Sequence, residues 1–175
     1  MLWLCISLPQ LPLEALQLDA SEAITVVTDC EANTRYIVCC NEAAERGKLK
    51  VGMNYTTALA IHSSIAMLER KRLAEKAALE RLAAWAYQFS STVVIGEAPG
   101  EIKQARTAAI WLEIGASLKL FGGFRALIEK FETAFAHLRY SYQLGIAPTL
   151  EGAALLARAG IRLALTTRQA LQSRI

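Results

Sequence analysis

Leu2-Trp3-Leu4-Cys5-Ile6-Ser7, closed by Leu8 and Pro9, is a short run of apolar and small side chains. A run of that length, rich in bulky groups and stopped by a residue without a backbone N–H, reads as a buried strand rather than a helix. A buried strand needs a long amphipathic partner, and the first one downstream is predicted over Ala66–Phe89. There Ala74, Ala78, Leu82, Trp85 and Phe89 recur at spacings of three and four and form one apolar face. Arg72, Lys76 and Glu80 occupy the other face, where four-residue spacing lets opposite charges pair.

Beyond that helix the pattern alternates. Thr92–Ile95 reads as a strand, and a loop holding Pro99 and Gly100 leads to a further strand, Ala108–Ile114. A second strong helix is predicted over Phe124–Leu138, its stripe marked by Phe124, Leu127, Ile128, Phe131, Phe135 and Leu138. Tyr142–Ala147 follows as a strand and Leu150–Ala159 as a short helix, while Gly160–Ile175 has no periodicity. The order strand, helix, strand, strand, helix, strand is that of a ferredoxin-like split βαβ fold.

The segment between the opening strand and the first long helix interrupts this order. Pro9–Leu18 suggests a turn and short helix. Ala23–Thr28 and Tyr36–Cys40 suggest a hairpin across the turn-prone Asp29–Thr34. Glu42–Gly47 can form one or two helical turns, and Asn54–His62 has helical composition. The expected fold class is therefore α+β: a ferredoxin-like βαββαβ domain over residues 1–17 and 65–160, a small α/β lobe inserted over 18–64, and a tail over 161–175.

Composition sets limits on function. Hydrophobic residues make up 54% and charged residues 20% of 175, so a packed core is available and a disordered chain is excluded. A formal net charge of +3 permits a nucleic-acid contact without demanding one. Cys5, Cys30, Cys39 and Cys40 form no CxxC pair and the chain has two histidines, which fits reduced, mostly buried thiols better than a zinc or disulfide framework. Met1–Leu8 lacks the basic flank of a signal peptide, and no apolar run reaches the roughly 20 residues of a membrane span. The expectation is a cytoplasmic protein without a cofactor and without membrane contact.

Several short stretches carry a family likeness. Gly47-Lys48-Leu49-Lys50-Val51-Gly52-Met53, ending in Gly-Met before a helix, resembles the fingers motif of the Y-family, or UmuC-like, DNA polymerases. Within that family, five stretches are similar to ImuB-type proteins: Met1-Leu2-Trp3-Leu4 with the Leu-Pro-Leu-Glu of 11–14, Glu80–Ala86 followed by Phe89-Ser90, Leu118–Gly123, Leu144–Thr149 and Leu155–Gly160. Together they cover roughly residues 1–160. The resemblance implies that the ferredoxin-like domain is a polymerase palm and the inserted lobe its fingers.

Polymerases of this kind join nucleotides with two metal ions held by carboxylates. The family draws them from an Asp-x-Asp on the first palm strand and an Asp-Glu pair at the head of the third. Here the resemblance puts Cys5 and Ser7 at the first pair of positions. Counted back from Leu112-Glu113, it puts Ala108 and Ala109 at the second. A thiol, a hydroxyl and two methyl groups cannot hold two divalent cations. Other contacts depart as well. Glu42 and Glu45 fall near the Tyr and Arg that face the triphosphate, and a carboxylate repels phosphate where Arg would bind it. Thr149-Leu150 stands for the family's Asn-Lys pair, and Pro9-Gln10 for its steric-gate aromatic.

The candidate DNA contacts are Arg46, Lys48 and Lys50, beside the Gly-Met turn, where cations could meet phosphates without reading sequence. Arg70-Lys71-Arg72 reads more simply as the solvated face of a helix. His62, beside Ser63 and Ser64, lacks an acid to complete a nucleophilic site, and His137 has no assigned role. Gly122-Gly123 matches no phosphate-loop motif and reads as a turn at a helix start. The expectation is then a non-catalytic polymerase relative serving as an adaptor in DNA damage tolerance, that is, SOS translesion synthesis and mutagenesis. Resemblance to ImuB implies as partners DNA, an error-prone replicative-type polymerase, a RecA-like ImuA-type protein and the sliding clamp. The clamp motif, thumb and little finger of that family would lie beyond Ile175. The alternatives are a protein-interaction module without DNA contact and an active error-prone polymerase with a diverged metal site.

Overall fold

In the computed structural model, residues 1–16, 23–98 and 106–160 are described. The chain divides into two compact units. The first comprises Met1–Leu8 with the described parts of Leu79–Pro99 and Thr107–Ile175; the second contains the described part of Pro9–Ala78.

The first unit is built on a four-stranded sheet ordered β5-β6-β1-β7, from β1 (Trp3–Ser7), β5 (Val93–Ala98), β6 (Thr107–Glu113) and β7 (Gln143–Ala147). Every neighbouring pair is antiparallel. With the latter part of α4 (Arg72–Ala86), α5 (Phe124–Ala136) and α6 (Leu150–Arg158), this completes the βαββαβ order read from the sequence. β1 lies between β6 and β7, so both of its backbone edges are satisfied and its alternate side chains enter opposite layers. Leu4, Ile6 and Leu8 are fully buried, as are Ile110 and Leu112 on β6. The helical stripe residues form an aromatic cluster: Trp85 meets Phe89, Phe131 and Phe135 with centroids 5.2–5.6 Å apart, and Phe135 meets Tyr142 at 4.5 Å. Tilted and edge-on rings at these distances suit the quadrupole of the π face. Gly122 and Gly123, at φ +80° and +108°, turn the chain into α5 as expected, in a region of backbone space that favours glycine.

The second unit carries a three-stranded sheet ordered β3-β2-β4, from β2 (Thr25–Glu31), β3 (Thr34–Cys40) and β4 (Ala66–Glu69). The hairpin is tighter than the sequence suggests. Both strands run on to a two-residue turn, Ala32-Asn33, with both residues at positive φ, the geometry whose twist matches paired strands. α1 (Leu11–Glu14), α2 (Glu42–Arg46) and α3 (Tyr55–Ile61) complete the unit. Val26, Ile37, Cys40, Ala44, Leu49 and Ala58 form its core.

One element was misread. Ala66–Phe89 is not a single helix: Ala66–Glu69 pairs in parallel with β2, and α4 begins only at Arg72. Ala, Met, Leu and Glu favour helix, but the unpaired side of β2 supplies a ladder that overrides local preference. This pairing also keeps residues through Ala78 with the second unit, so the units part at Leu8/Pro9 and Ala78/Leu79 instead of 17/18 and 64/65. The loop with Pro99 and Gly100 and the tail 161–175 lie outside the described residues.

Candidate functional site

The positions singled out for missing acids lie at the centre of the four-stranded sheet. Cys5 stands opposite Trp111 of β6 and Gly145 of β7, and Ser7 opposite Ala109 and Gln143. The Leu8 N–H to Ala108 carbonyl bond of 2.9 Å makes the even residues of β1 the hydrogen-bonded partners of β6. Ser7 and Ala109 are therefore a close, non-hydrogen-bonded pair, with Cα atoms about 4.5 Å apart. Cys5, Ser7 and Ala109 share one face, while Ala108 belongs to the other.

α6 packs on the Cys5 face. Cys5, Ala109, Trp111 and Ala147 of the sheet bury against Ala153, Ala154 and Ala157 of the helix. The Trp111 indole N–H donates to the Leu150 carbonyl at 3.1 Å, and Thr149 caps the helix through the Gly152 N–H at 3.1 Å. Gly145 lets the helix come close, since a Cβ there would lie 2.0 Å from the Ala153 carbonyl oxygen. Burial pushes the Cys5 thiol up to about 12, so it stays protonated at neutral pH and is neither a nucleophile nor a thiolate ligand. Among the described residues, no group of three or more His, Cys, Asp or Glu side chains could hold a metal ion.

Glu113, the acid matched to the family's Leu-Asp pair, has a structural task. Its carboxylate accepts the backbone N–H groups of Leu2 at 2.9 Å, Gly115 at 3.1 Å and Ala116 at 3.3 Å. It also borders an open hollow of about 530 Å³ lined mainly by Met1, Leu2, Leu118 and Phe124. Burial alone would raise its pKa, but the bonds from Leu2, Ala116 and Gly115 outweigh it and hold the carboxyl below its ordinary value. A depressed folded-state pKa means that the stabilisation is complete above the unfolded value of 4.5 and is lost as pH falls through the folded value beneath it. Glu113→Ala is expected to cost about 1–2 kcal/mol at pH 7, like the loss of a helix cap. The cost should shrink towards pH 2, as thermal melts at both pH values would show.

In the second unit the three candidate cations lie on one turn. The Asn41 carboxamide oxygen starts α2 by accepting the Ala44 N–H at 3.0 Å and ties it to β2 through the Thr25 N–H at 3.1 Å. After α2 the chain passes through Lys48 at φ +63°, with Leu49 buried and Arg46, Lys48 and Lys50 all exposed. The Gly52-Met53 pair is fixed on β3, Gly52 donating to the Ile37 carbonyl at 2.7 Å and Ile37 donating to that of Met53 at 2.9 Å. Gly52 has φ +85°, a second reason for glycine there. Glu42 and Glu45 are exposed on α2. His62 has no catalytic surroundings: its Nε2–H donates to the Gly47 carbonyl at 2.7 Å, fastening the end of α3 to the end of α2.

Of Arg70-Lys71-Arg72, Lys71 and Arg72 are exposed as expected, and Arg70 departs from the solvated face. Arg70 precedes α4 and bonds both carboxylate oxygens of the buried Glu75 at 2.7 Å, with Asp29 at 3.5 Å. Arg72 reaches the same Asp29 at 2.6 Å. Burial opposes the ionisation of Asp29, but the Arg72 bond, the Cys30 N–H and the nearby Arg70 together lower its pKa. These pairs tie β2 to the start of α4. Asp29 drew no notice in the sequence because its partners depend on the β2–β4 pairing, and Glu75 drew none because Arg70, five residues earlier, is not at a helical pairing distance from it. Burial also pushes the Cys39 and Cys40 thiols up, to about 12 and 11, so both are inert.

With this geometry the chain is similar to solved DNA polymerases. It matches the post-insertion binary complex of Dbh DNA polymerase with a TM-score of 0.75 and 15% identity, over 99% of this chain and 50% of that one. DinB from Sulfolobus solfataricus gives a TM-score of 0.69 at 15% identity, over 91% and 46%. A Y-family polymerase chimera of Dbh and Dpo4 gives 0.67 at 14% identity, over 85% and 43%. The α+β fold is thus that of the palm and fingers region of Y-family DNA polymerases. At these identities the likeness is one of fold, and the chain spans about half the length of the structures it matches. No protein-family model matches the sequence, and no curated protein matches it either. Among the described residues, no helix is long and apolar enough to cross a membrane.

Proposed function

We propose that this chain is the palm and fingers of a non-catalytic Y-family polymerase relative that works as an adaptor in DNA damage tolerance. One observation carries the reading: the sheet positions matched to the family's acids hold Cys5, Ser7, Ala108 and Ala109, and α6 packs over the face bearing three of them. Such a site holds no pair of magnesium ions, because the hard oxygen ligands they require are replaced by groups that do not bind them. The ImuB likeness supports a role in SOS mutagenesis beside an error-prone replicative-type polymerase, a RecA-like ImuA-type protein and the sliding clamp.

DNA contact falls to the turn of Arg46, Lys48 and Lys50. Lys48 occupies a left-handed position at φ +63°, where glycine would avoid roughly 1 kcal/mol of strain. A lysine held there, exposed between two other cations, supports a use for its charge. The test is fluorescence anisotropy on single-stranded and primed DNA across a range of salt concentrations. Replacing all three cations with alanine is expected to weaken binding on every sequence and lower the salt slope by about 2 on single-stranded DNA and about 3 on duplex, as three lost phosphate contacts require. An unchanged slope in the folded variant would place the phosphate contacts on other residues, and the absence of salt-dependent binding by the unaltered chain would favour the interaction module that does not touch DNA.

A further inference from the structure

The basic turn is held from two sides. From within its own segment, Gly47 donates to the Ala43 carbonyl at 3.0 Å, Lys48 to that of Glu45 at 2.9 Å and Leu49 to that of Ala44 at 3.0 Å. These bonds use the N–H groups of the turn. In a trans peptide the carbonyl points opposite to the following N–H, and the Gly47 carbonyl accepts the His62 Nε2–H at 2.7 Å. The peptide joining Gly47 to Lys48 is therefore bonded at both of its polar ends. It leads directly into Lys48, whose φ of +63° is a strained, left-handed conformation for lysine.

Gly47 and His62 are fitted to each other. Gly47 has φ −75°, which any residue adopts, so backbone conformation does not explain the glycine. A Cβ there would lie 2.8 Å from His62 Nε2, so the absent side chain leaves the space in which the imidazole sits. α3 brings His62 to that place. Asn54 caps the helix through the Thr56 N–H at 2.9 Å, Ala58 is buried, and the His62 N–H closes the last turn on the Ala58 carbonyl at 2.9 Å.

We propose that His62 is a positioning residue for DNA binding: through the Gly47 carbonyl it holds the turn that presents Arg46, Lys48 and Lys50 to phosphates. The inference rests on the DNA contact proposed above. A hydrogen bond is comparable in free energy to the strain of a left-handed lysine, so losing this one lets the turn relax. The same cations can still meet phosphates, but the turn must then be ordered during binding. Affinity falls while the number of phosphate contacts stays the same.

Fluorescence anisotropy on single-stranded DNA across a range of salt concentrations tests this with three variants, each checked for folding by circular dichroism. His62→Phe keeps a ring and removes the donor. It is expected to weaken binding about fivefold, the factor that corresponds to one hydrogen bond, with the salt slope unchanged. His62→Gln carries an amide nitrogen the same number of bonds from Cβ as Nε2, and should restore affinity to within about twofold of the unaltered chain. Gly47→Ala displaces the imidazole without altering it and should weaken binding as His62→Phe does, which keeps the test decisive if the phenylalanine variant does not fold. Full affinity in a folded His62→Phe or Gly47→Ala variant, or a His62→Gln variant as weak as His62→Phe, would overturn the inference. A slope lowered by about 0.7 in His62→Phe would make His62 itself a phosphate contact and would overturn it too. Failure of the DNA reading looks different: the unaltered chain then shows no salt-dependent binding, and the inference falls with that reading.

Discussion

Cys5→Asp is expected to lower the stability of this chain by roughly 3–5 kcal/mol and to create no magnesium site, the cost combining protonation of an acid that is ionised in the unfolded chain with burial of a carboxyl group that lacks partners. Cys5 is fully buried between Trp111 and Gly145, beneath Ala153, Ala154 and Ala157. Among the described residues no cation or N–H donor is bonded to its side chain, and the neighbouring ladder groups are already paired. A carboxyl group placed there would bind a proton at neutral pH to avoid ionising in an apolar layer, and would still lack hydrogen-bond partners. Adding Ala109→Glu would place a second acid on the same buried face and deepen the loss. Chemical denaturation of the variants, followed by magnesium titration of whatever remains folded, measures both parts of the expectation. A stable Cys5→Asp variant that binds magnesium would mean that the sheet still accommodates a metal centre.

Gly145→Ala should be nearly as damaging, although it adds only one methyl group. Its Cβ would lie 2.0 Å from the Ala153 carbonyl oxygen and 2.3 Å from the Ala157 nitrogen. Both belong to the helix backbone, so no rotamer change relieves the overlap. Either α6 moves away from the sheet, exposing the cluster around Cys5 and breaking the Trp111–Leu150 bond, or the strain remains. Overpacking in a tight core costs 1–3 kcal/mol and more where backbone must shift, so a loss of at least about 3 kcal/mol is expected. For a chain of this size that corresponds to a fall in melting temperature of about 6–12 °C. Near-ultraviolet circular dichroism would show a changed Trp111 signal if the helix lifts.

Both predictions depend on the seat of α6, which the sequence marks only faintly. The helix itself was legible as Leu150–Ala159, and so were β1, β6, α5 and β7, whose periodicities are local properties. That α6 would cover Cys5 was not legible, because it depends on Gly145 and on how Ala153, Ala154 and Ala157 seat against a strand at the other end of the chain. Ala66–Glu69 failed for a related reason: four helix-favouring residues became a strand because β2, about forty residues earlier, had an open edge. The pairs of Asp29 with Arg70 and Arg72 followed from that same pairing and were hidden with it. The basic turn was legible as charge, yet the left-handed backbone of Lys48 and the fastening of Gly47 by His62 emerge only in three dimensions. Local patterns therefore disclosed the elements, and what they missed was set by contacts between residues far apart in the chain.

Calorimetric titration of magnesium with a nucleoside triphosphate into the chain, in the presence of a primed DNA duplex, shows whether this sheet carries a catalytic metal site. No nucleotide binding that depends on the metal is expected. Metal-dependent binding that Glu113→Gln abolishes, in a variant shown to remain folded, would contradict it and place a working active site on this sheet.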